Sequence, residues 1–110
     1  MVAARPRERR VTGPVTTRPG PWTGPFLDAL PLERIAHVHM AGGTERDGLY
    51  HDTHAHPTPP AVLDLVAELC ARRDPPGVML ERDDDYPPEA ELAAELDAIA
   101  AAAGAGAGRR

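Results

Sequence analysis

All five histidines of this 110-residue chain lie between positions 37 and 56, at His37, His39, His51, His54 and His56. Imidazole binds transition metals and titrates near neutral pH, so such a cluster indicates a metal site. Within it, the patterns H-x-H at 37–39 and D-x-H-x-H at 52–56 place one polar group at every second residue. On an extended backbone, the side chains of each pattern would share one face. The spacing therefore predicts metal ligation, with a solvated polar loop as the alternative.

Other groups that could do chemistry are few. The chain has no serine, and its one cysteine, Cys70, excludes an internal disulfide. Cys70 falls on the apolar stripe of a predicted helix, where a buried, inert thiol is expected. Glu81 directly follows the apolar run 78–80 and could be a metal ligand, a helix cap or a partner for Arg82. No serine or cysteine nucleophile therefore competes with the metal hypothesis.

Composition limits the class of partner and the location. The net charge is −5, lysine is absent, and the 12 arginines are spread along the chain. A nucleic-acid-binding protein needs a basic face, so no nucleic-acid partner is expected. No apolar run approaches a membrane span or a signal-peptide core, so we expect no membrane partner and a cytoplasmic location.

The elements that must position these groups follow in the order strand, ligand loop, helix, strand, helix. We predict strands at 35–40 and 78–82 and helices at 25–30, 59–73 and 88–102, of which the second is capped by Thr58. A polar turn at 44–48 and an extended piece at 49–53 lie between the first strand and the second helix. This order is typical of an α/β fold in which the two strands pair in parallel and the helices cover their outer side. His39 and Glu81 would then meet at the carboxyl edge of the sheet, beside Asp52, His54 and His56 in the connection.

The two ends of the chain have other compositions. Residues 1–24 are rich in proline, glycine and arginine without apolar periodicity, which predicts disorder. Residues 104–110 alternate glycine and alanine and are expected to fray. The folded part is accordingly expected at 25–103.

Three segments resemble the C-terminal third of the multinuclear non-haem iron-dependent oxidases, a family that includes the oxidase of methanobactin biosynthesis. They read FLDALPLERIAHVHMAGG, DTHAHP and LERDDDYPPEAELAAEL, in the family's order and spacing, between Pro25 and Ala102. The resemblance implies a xylose-isomerase-like TIM barrel, of which the last two or three βα units are present. It also implies two or three irons at the carboxyl end of the barrel and oxygen-dependent modification of residues, often cysteines, in ribosomally made peptides.

By position, the resemblance implies that His39, Asp52, His54 and Glu81 are metal ligands. His56 is the next candidate, either as a ligand or as a group that orients one. The family usually has histidine where this chain has Gly43, so one polar group of the site is missing. A peptide substrate and a partner protein are also implied.

Length decides which activity to expect. A TIM barrel takes about 250 residues, so the chain holds too few strands for one, and we expect a truncated or mis-started gene product that is inactive alone. Two alternatives remain open. The first is a small metal-binding or interaction module without redox turnover. The second is a fragment of a zinc-type hydrolase, because Asp, His and Glu ligands also suit zinc and a metal-bound water.

Overall fold

The computed structural model describes residues 23–110, so the disorder expected for residues 1–22 lies outside the described part. Its elements are the helix α1 (Thr23–Asp28), a 3₁₀ turn (Leu32–Arg34), the strands β1 (Val38–Met40), β2 (Thr44–Arg46) and β3 (Leu49–His51), the helix α2 (Pro60–Arg72), the strand β4 (Val78–Leu80) and the helix α3 (Glu89–Ala107). The described chain is α/β, as predicted. Because α1 begins at Thr23, the boundary predicted after residue 24 falls inside this helix. None of the described helices is long and apolar enough to cross a membrane.

The strands β1 and β4 pair in parallel, with Val38 opposite Val78 and Met40 opposite Leu80. This confirms the predicted pairing, with α2 in the crossover between the two strands. Both strands are shorter than predicted, since β1 begins at Val38 rather than at residue 35 and β4 ends at Leu80 rather than at residue 82. One further hydrogen bond, from the Glu81 N–H to the Met40 carbonyl (2.7 Å), extends the ladder toward its carboxyl end.

A β-hairpin that was not predicted stands between β1 and α2. The antiparallel strands β2 and β3 are joined by Asp47 and Gly48, whose φ angles are +56° and +74°. Two positive φ values in a two-residue loop are the signature of a type I′ turn, which favours Asp-Gly. The predicted polar turn at 44–48 therefore contains strand β2, and the predicted extended piece at 49–53 is strand β3 only as far as His51.

The three helices pack on one face of the parallel pair. The core contains Leu27, Ile35, Val38, Met40, Val66, Leu69, Cys70 and Ile99, all at most 8% exposed. Alternation along the strands turns Val38 and Met40 toward the helices. Met79 is 41% exposed and the side chain of its neighbour His39 is 39% exposed, on the opposite face. Within residues 23–110, the sheet thus has one covered and one open face.

Helix α3 ends later than predicted. It continues to Ala107, so helix covers most of the tail at 104–110, whose fraying stays a prediction. The reason is close packing on α2, because any Cβ at Gly106 would overlap the carbonyl oxygen of Ala67. After the helix, Arg109 Nη2 donates to Glu68 Oε1 on α2 (2.6 Å).

Helix α2 follows its apolar stripe but not its predicted cap. Val66, Leu69 and Cys70 are buried as the helical spacing requires. Pro59, rather than Thr58, is the N-cap residue, and no side chain caps the helix. Thr58 instead donates both its backbone N–H and its hydroxyl to Glu95 on α3.

Candidate metal centre

The site is built on the carboxyl ends of β1 and β4, where parallel strands place their functional groups. His39 lies within β1, and Glu81 directly follows β4. Their register brings Nδ1 of His39 within 3.4 Å of Oε2 of Glu81. Two residues that are far apart in the sequence thus meet at the predicted edge.

His54 lies at the centre of the site, with a carboxylate near each ring nitrogen. Its Nε2 is 2.8 Å from Oδ1 of Asp52, while its Nδ1 is 3.2 Å from Oε1 of Glu81. The same Nδ1 lies 2.9 Å from Oδ2 of Asp83. His39, Asp52, His54 and Glu81 are therefore brought together, and Asp83 joins them.

The backbone holds His54 in a conformation that the sequence pattern did not indicate. Its φ angle is +52°, in the left-handed region that costs a non-glycine residue about 1 kcal/mol or more. The N–H of His54 donates to the Gly42 carbonyl (3.0 Å), and its carbonyl accepts from the Asp83 N–H (2.7 Å). These two bonds fix the strained residue between β1 and the loop after β4.

The expected shared face of Asp52, His54 and His56 was wrong for His56, because the chain is not extended here. The left-handed residue at 54 breaks the alternation, and Nδ1 of His56 instead lies 2.6 Å from the Thr53 hydroxyl. The ring of His37, from the first pattern, meets that of His39 in a T-shaped arrangement with centroids 5.2 Å apart.

Asp83 is the site residue that sequence reasoning missed. The run Arg82 to Asp85 reads as a solvated acidic loop, and the Asp83 side chain is indeed 60% exposed. A signal was present, since Glu81 and Asp83 repeat the every-second-residue spacing used to group the histidines. Applied to the end of β4, the same rule would have included Asp83.

The electrostatics of the site favour a cation. Three carboxylates, from Asp52, Glu81 and Asp83, surround one imidazole. Desolvation acts to lower the pKa of His54, but the hydrogen bond with Asp83 and the charges of all three carboxylates outweigh it and raise the pKa above 6.5. A metal ion on Nδ1 would take the place of that proton and neutralise the same charges.

Three side chains can share one ion. His54, Glu81 and Asp83 each offer a ligand atom, and these atoms lie within 4.8 Å of one another. Imidazole nitrogen with carboxylate oxygen suits Fe(II), Mn(II) or Zn(II). The donor set therefore fits a borderline divalent metal. His39 lies beside this group, in contact with Glu81.

Comparison with known proteins gives the family. Residues 21–104 match the family described as RiPP precursor modification enzyme MbnB/TglH/ChrH. A UPF0276 protein of Streptomyces avermitilis is 60% identical over 73 residues, which cover 66% of this chain and 15% of that protein. UPF0276 proteins of Rhizorhabdus wittichii and Caulobacter vibrioides are 44% and 42% identical over 64% and 74% of this chain.

The matched region is a small part of these relatives. It spans 15%, 26% and 29% of the curated proteins from the three organisms. No solved structure matches the chain. The match over residues 21–104 nevertheless covers most of this sequence, and the chain belongs to the MbnB/TglH/ChrH family of RiPP precursor modification enzymes.

Proposed function

We propose that residues 23–107 form part of the metal-binding end of an iron-dependent oxidase that modifies residues, often cysteine, of a ribosomally made precursor peptide. The observation that carries this proposal is the triad of His54, Glu81 and Asp83 at the carboxyl end of a parallel strand pair. Membership of a precursor-modification family supports the peptide substrate. One nitrogen and two carboxylate donors suit Fe(II).

Each residue of the site has a separate role in this proposal. His54 would bind the ion through Nδ1, together with Glu81 and Asp83. Oδ1 of Asp52 lies 2.8 Å from Nε2 of His54 and would orient the ring, as carboxylates behind metal-binding histidines do. This orienting role replaces the ligand role that the resemblance implied for Asp52.

Glu81 supports a centre with more than one iron. Its Oε1 faces His54 at 3.2 Å and its Oε2 faces His39 at 3.4 Å. One carboxylate could thus serve an ion on each side, with His39 as a ligand of the second. This is consistent with the two or three irons that the resemblance implies.

Bound iron would supply the redox chemistry with oxygen, while the protein holds the ligands and the peptide. The open face of the sheet, with His39 and Met79, would line the interior of a partial TIM barrel and face the substrate. His56, held by Thr53, would stabilise the loop that carries His54.

Residues 23–110 supply only one wall of such a site. The side chains of Asp52 and Asp83 are 46% and 60% exposed, so water reaches the metal position freely. Oxidation of a bound peptide needs a site that excludes water and orients the reacting group. We therefore propose that this stretch is inactive alone and needs further βα units, from a longer polypeptide or a partner protein.

Mass spectrometry of a cysteine-containing peptide tests the activity. The purified chain, supplied with Fe(II) and oxygen, should bind the metal weakly and leave the peptide unmodified. Modification that disappears in Glu81→Gln would show instead that this small chain is a complete oxidase. Peptide cleavage with Zn(II) would favour the hydrolase alternative.

A further inference from the structure

A buried charged cluster lies outside the metal triad. Glu95, on α3, and Arg82, in the loop after β4, have side chains only 10% and 8% exposed. Oε2 of Glu95 lies 3.6 Å from Nη1 of Arg82. Charged side chains are rarely buried this far unless they are paired, since desolvating a charge is costly.

The carboxylate of Glu95 reaches two loops at once. Its Oε1 accepts the backbone N–H of Thr58 (2.6 Å) and the Thr58 hydroxyl (2.8 Å). Thr58 belongs to the segment that follows His54 and His56, ahead of α2. The other oxygen faces Arg82, which stands between Glu81 and Asp83 in the sequence.

Arg82 in turn holds the acidic loop in place. Its Nε donates to the Asp84 carbonyl (3.3 Å), and its Nη2 donates to the Asp85 carbonyl (3.2 Å). Its Nη1 is buried and makes no hydrogen bond among the described residues. The carboxylate of Glu95 therefore compensates a buried charge that also fixes the backbone beside Asp83.

We infer that Glu95 is the positioning residue of the metal centre, and that it fixes the His54 loop through Thr58 and the Glu81–Asp83 loop through Arg82. Glu95 acts through these two residues and lies outside the triad itself. If Glu95 holds both loops, it also sets the metal affinity; this consequence rests on the proposed function. Groups that orient metal ligands typically change that affinity when they are replaced.

Two substitutions separate the contact of Glu95 with Thr58 from its contact with Arg82. Glu95→Gln keeps an oxygen for Thr58 but turns an amide donor toward Arg82, so it breaks only the contact with Arg82. Glu95→Ala removes both contacts. Binding of Co(II), followed through its visible absorption, should weaken about 10-fold in Glu95→Gln and about 100-fold in Glu95→Ala, the usual range for residues that orient ligands.

Two controls on the same helix distinguish positioning from general destabilisation. Asp97→Asn removes an exposed negative charge, and Ile99→Val loosens the core. Both should bind Co(II) as the wild type does, although Ile99→Val lowers the melting temperature. Wild-type affinity in Glu95→Gln, or an equal loss in Ile99→Val, would overturn the inference.

A second measurement needs no metal. In backbone amide NMR spectra of the metal-free chain, Glu95→Ala should shift or broaden the His54 and Asp83 signals, and Asp97→Asn should leave them unchanged. Unshifted signals would refute the positioning role. A wild-type chain that binds no Co(II) while these signals respond would refute the proposed function and leave the link intact.

Discussion

His54 and Asp83 are joined twice, once through their side chains and once through their backbones. Nδ1 of His54 lies 2.9 Å from Oδ2 of Asp83, and the Asp83 N–H donates to the His54 carbonyl at 2.7 Å. The second bond fixes the position of Asp83 whichever group its carboxylate binds. The proposed ligand Asp83 is therefore pre-positioned despite its exposed side chain.

The first prediction concerns this carboxylate. Asp83→Asn preserves the shape of the side chain and the backbone bond, but removes the negative charge that faces His54. We expect Zn(II) affinity to fall by about tenfold or more, the scale found when groups around a metal are replaced. Isothermal titration calorimetry gives the measurement.

Asp85→Asn is the matched control, because it removes an equal charge from the same acidic run. Asparagine also tolerates the left-handed conformation of this position, where φ is +50°. Equal losses in the two variants would mean that general charge, rather than ligation by Asp83, attracts the metal.

The second prediction is a pH dependence. In the metal-free chain, the pKa of His54 should lie above its usual 6.5, because the contributions of Asp83, Asp52 and Glu81 outweigh desolvation. A pKa raised by folding stabilises the protein fully below the unfolded-state value, and that stabilisation disappears as pH rises through the folded-state pKa. Metal affinity should rise over the same interval, because the proton leaves Nδ1.

Titration of the His54 ring carbons by NMR measures this pKa directly. Asp83→Asn should lower it, because that variant removes both a hydrogen bond and a charge. A wild-type pKa at or below 6.5 would show that desolvation dominates at His54.

The third prediction compares two glycines of α3. Gly106→Ala places a methyl group against the Ala67 carbonyl and should destabilise the fold by about 1–3 kcal/mol, the usual cost of overpacking. At Gly104, a Cβ meets nothing within 4 Å, so Gly104→Ala should stabilise the helix by about 0.5–1 kcal/mol. Urea unfolding measures both. Similar effects from the two changes would contradict the docking of the C-terminal turns on α2.

The fourth prediction concerns Gly43, at a position where the iron-dependent oxidases that the sequence resembles usually have histidine. A Cβ at this position would overlap the His51 carbonyl oxygen and come within 2.8 Å of the Tyr50 ring. Gly43→His should therefore lower the melting temperature without tightening Zn(II) binding. Tighter binding in a stable Gly43→His variant would show that the hairpin can move aside.

The sequence predicted those features that depend on periodicity. The apolar stripe of α2 predicted that helix, and the run 78–80 predicted strand β4. The order of the elements then predicted that β4 pairs in parallel with β1. That arrangement alone brings His39 and Glu81 to one edge. Strand order determines such long-range contacts, so they follow once the elements are known.

Features that depend on single backbone angles or on tertiary packing were missed. The left-handed φ of His54 replaces an extended ligand strand with a turn, and it persists because bonds to Gly42 and Asp83 hold it. Threonine is a common helix N-cap, but the hydroxyl of Thr58 donates a hydrogen bond to Glu95, a residue of another helix. Neither the backbone conformation of His54 nor the partner of Thr58 can be read from the neighbouring residues in the sequence.

Anaerobic Fe(II) binding tests the central claim most directly. After equilibrium dialysis, metal analysis should find iron in the wild type and in His51→Ala, whose histidine lies outside the triad of His54, Glu81 and Asp83. His54→Ala and Glu81→Gln should retain far less iron, although circular dichroism should show them to be folded. A wild-type chain without iron, or His54→Ala with as much iron as the wild type, would contradict the assignment of this cluster as a metal centre.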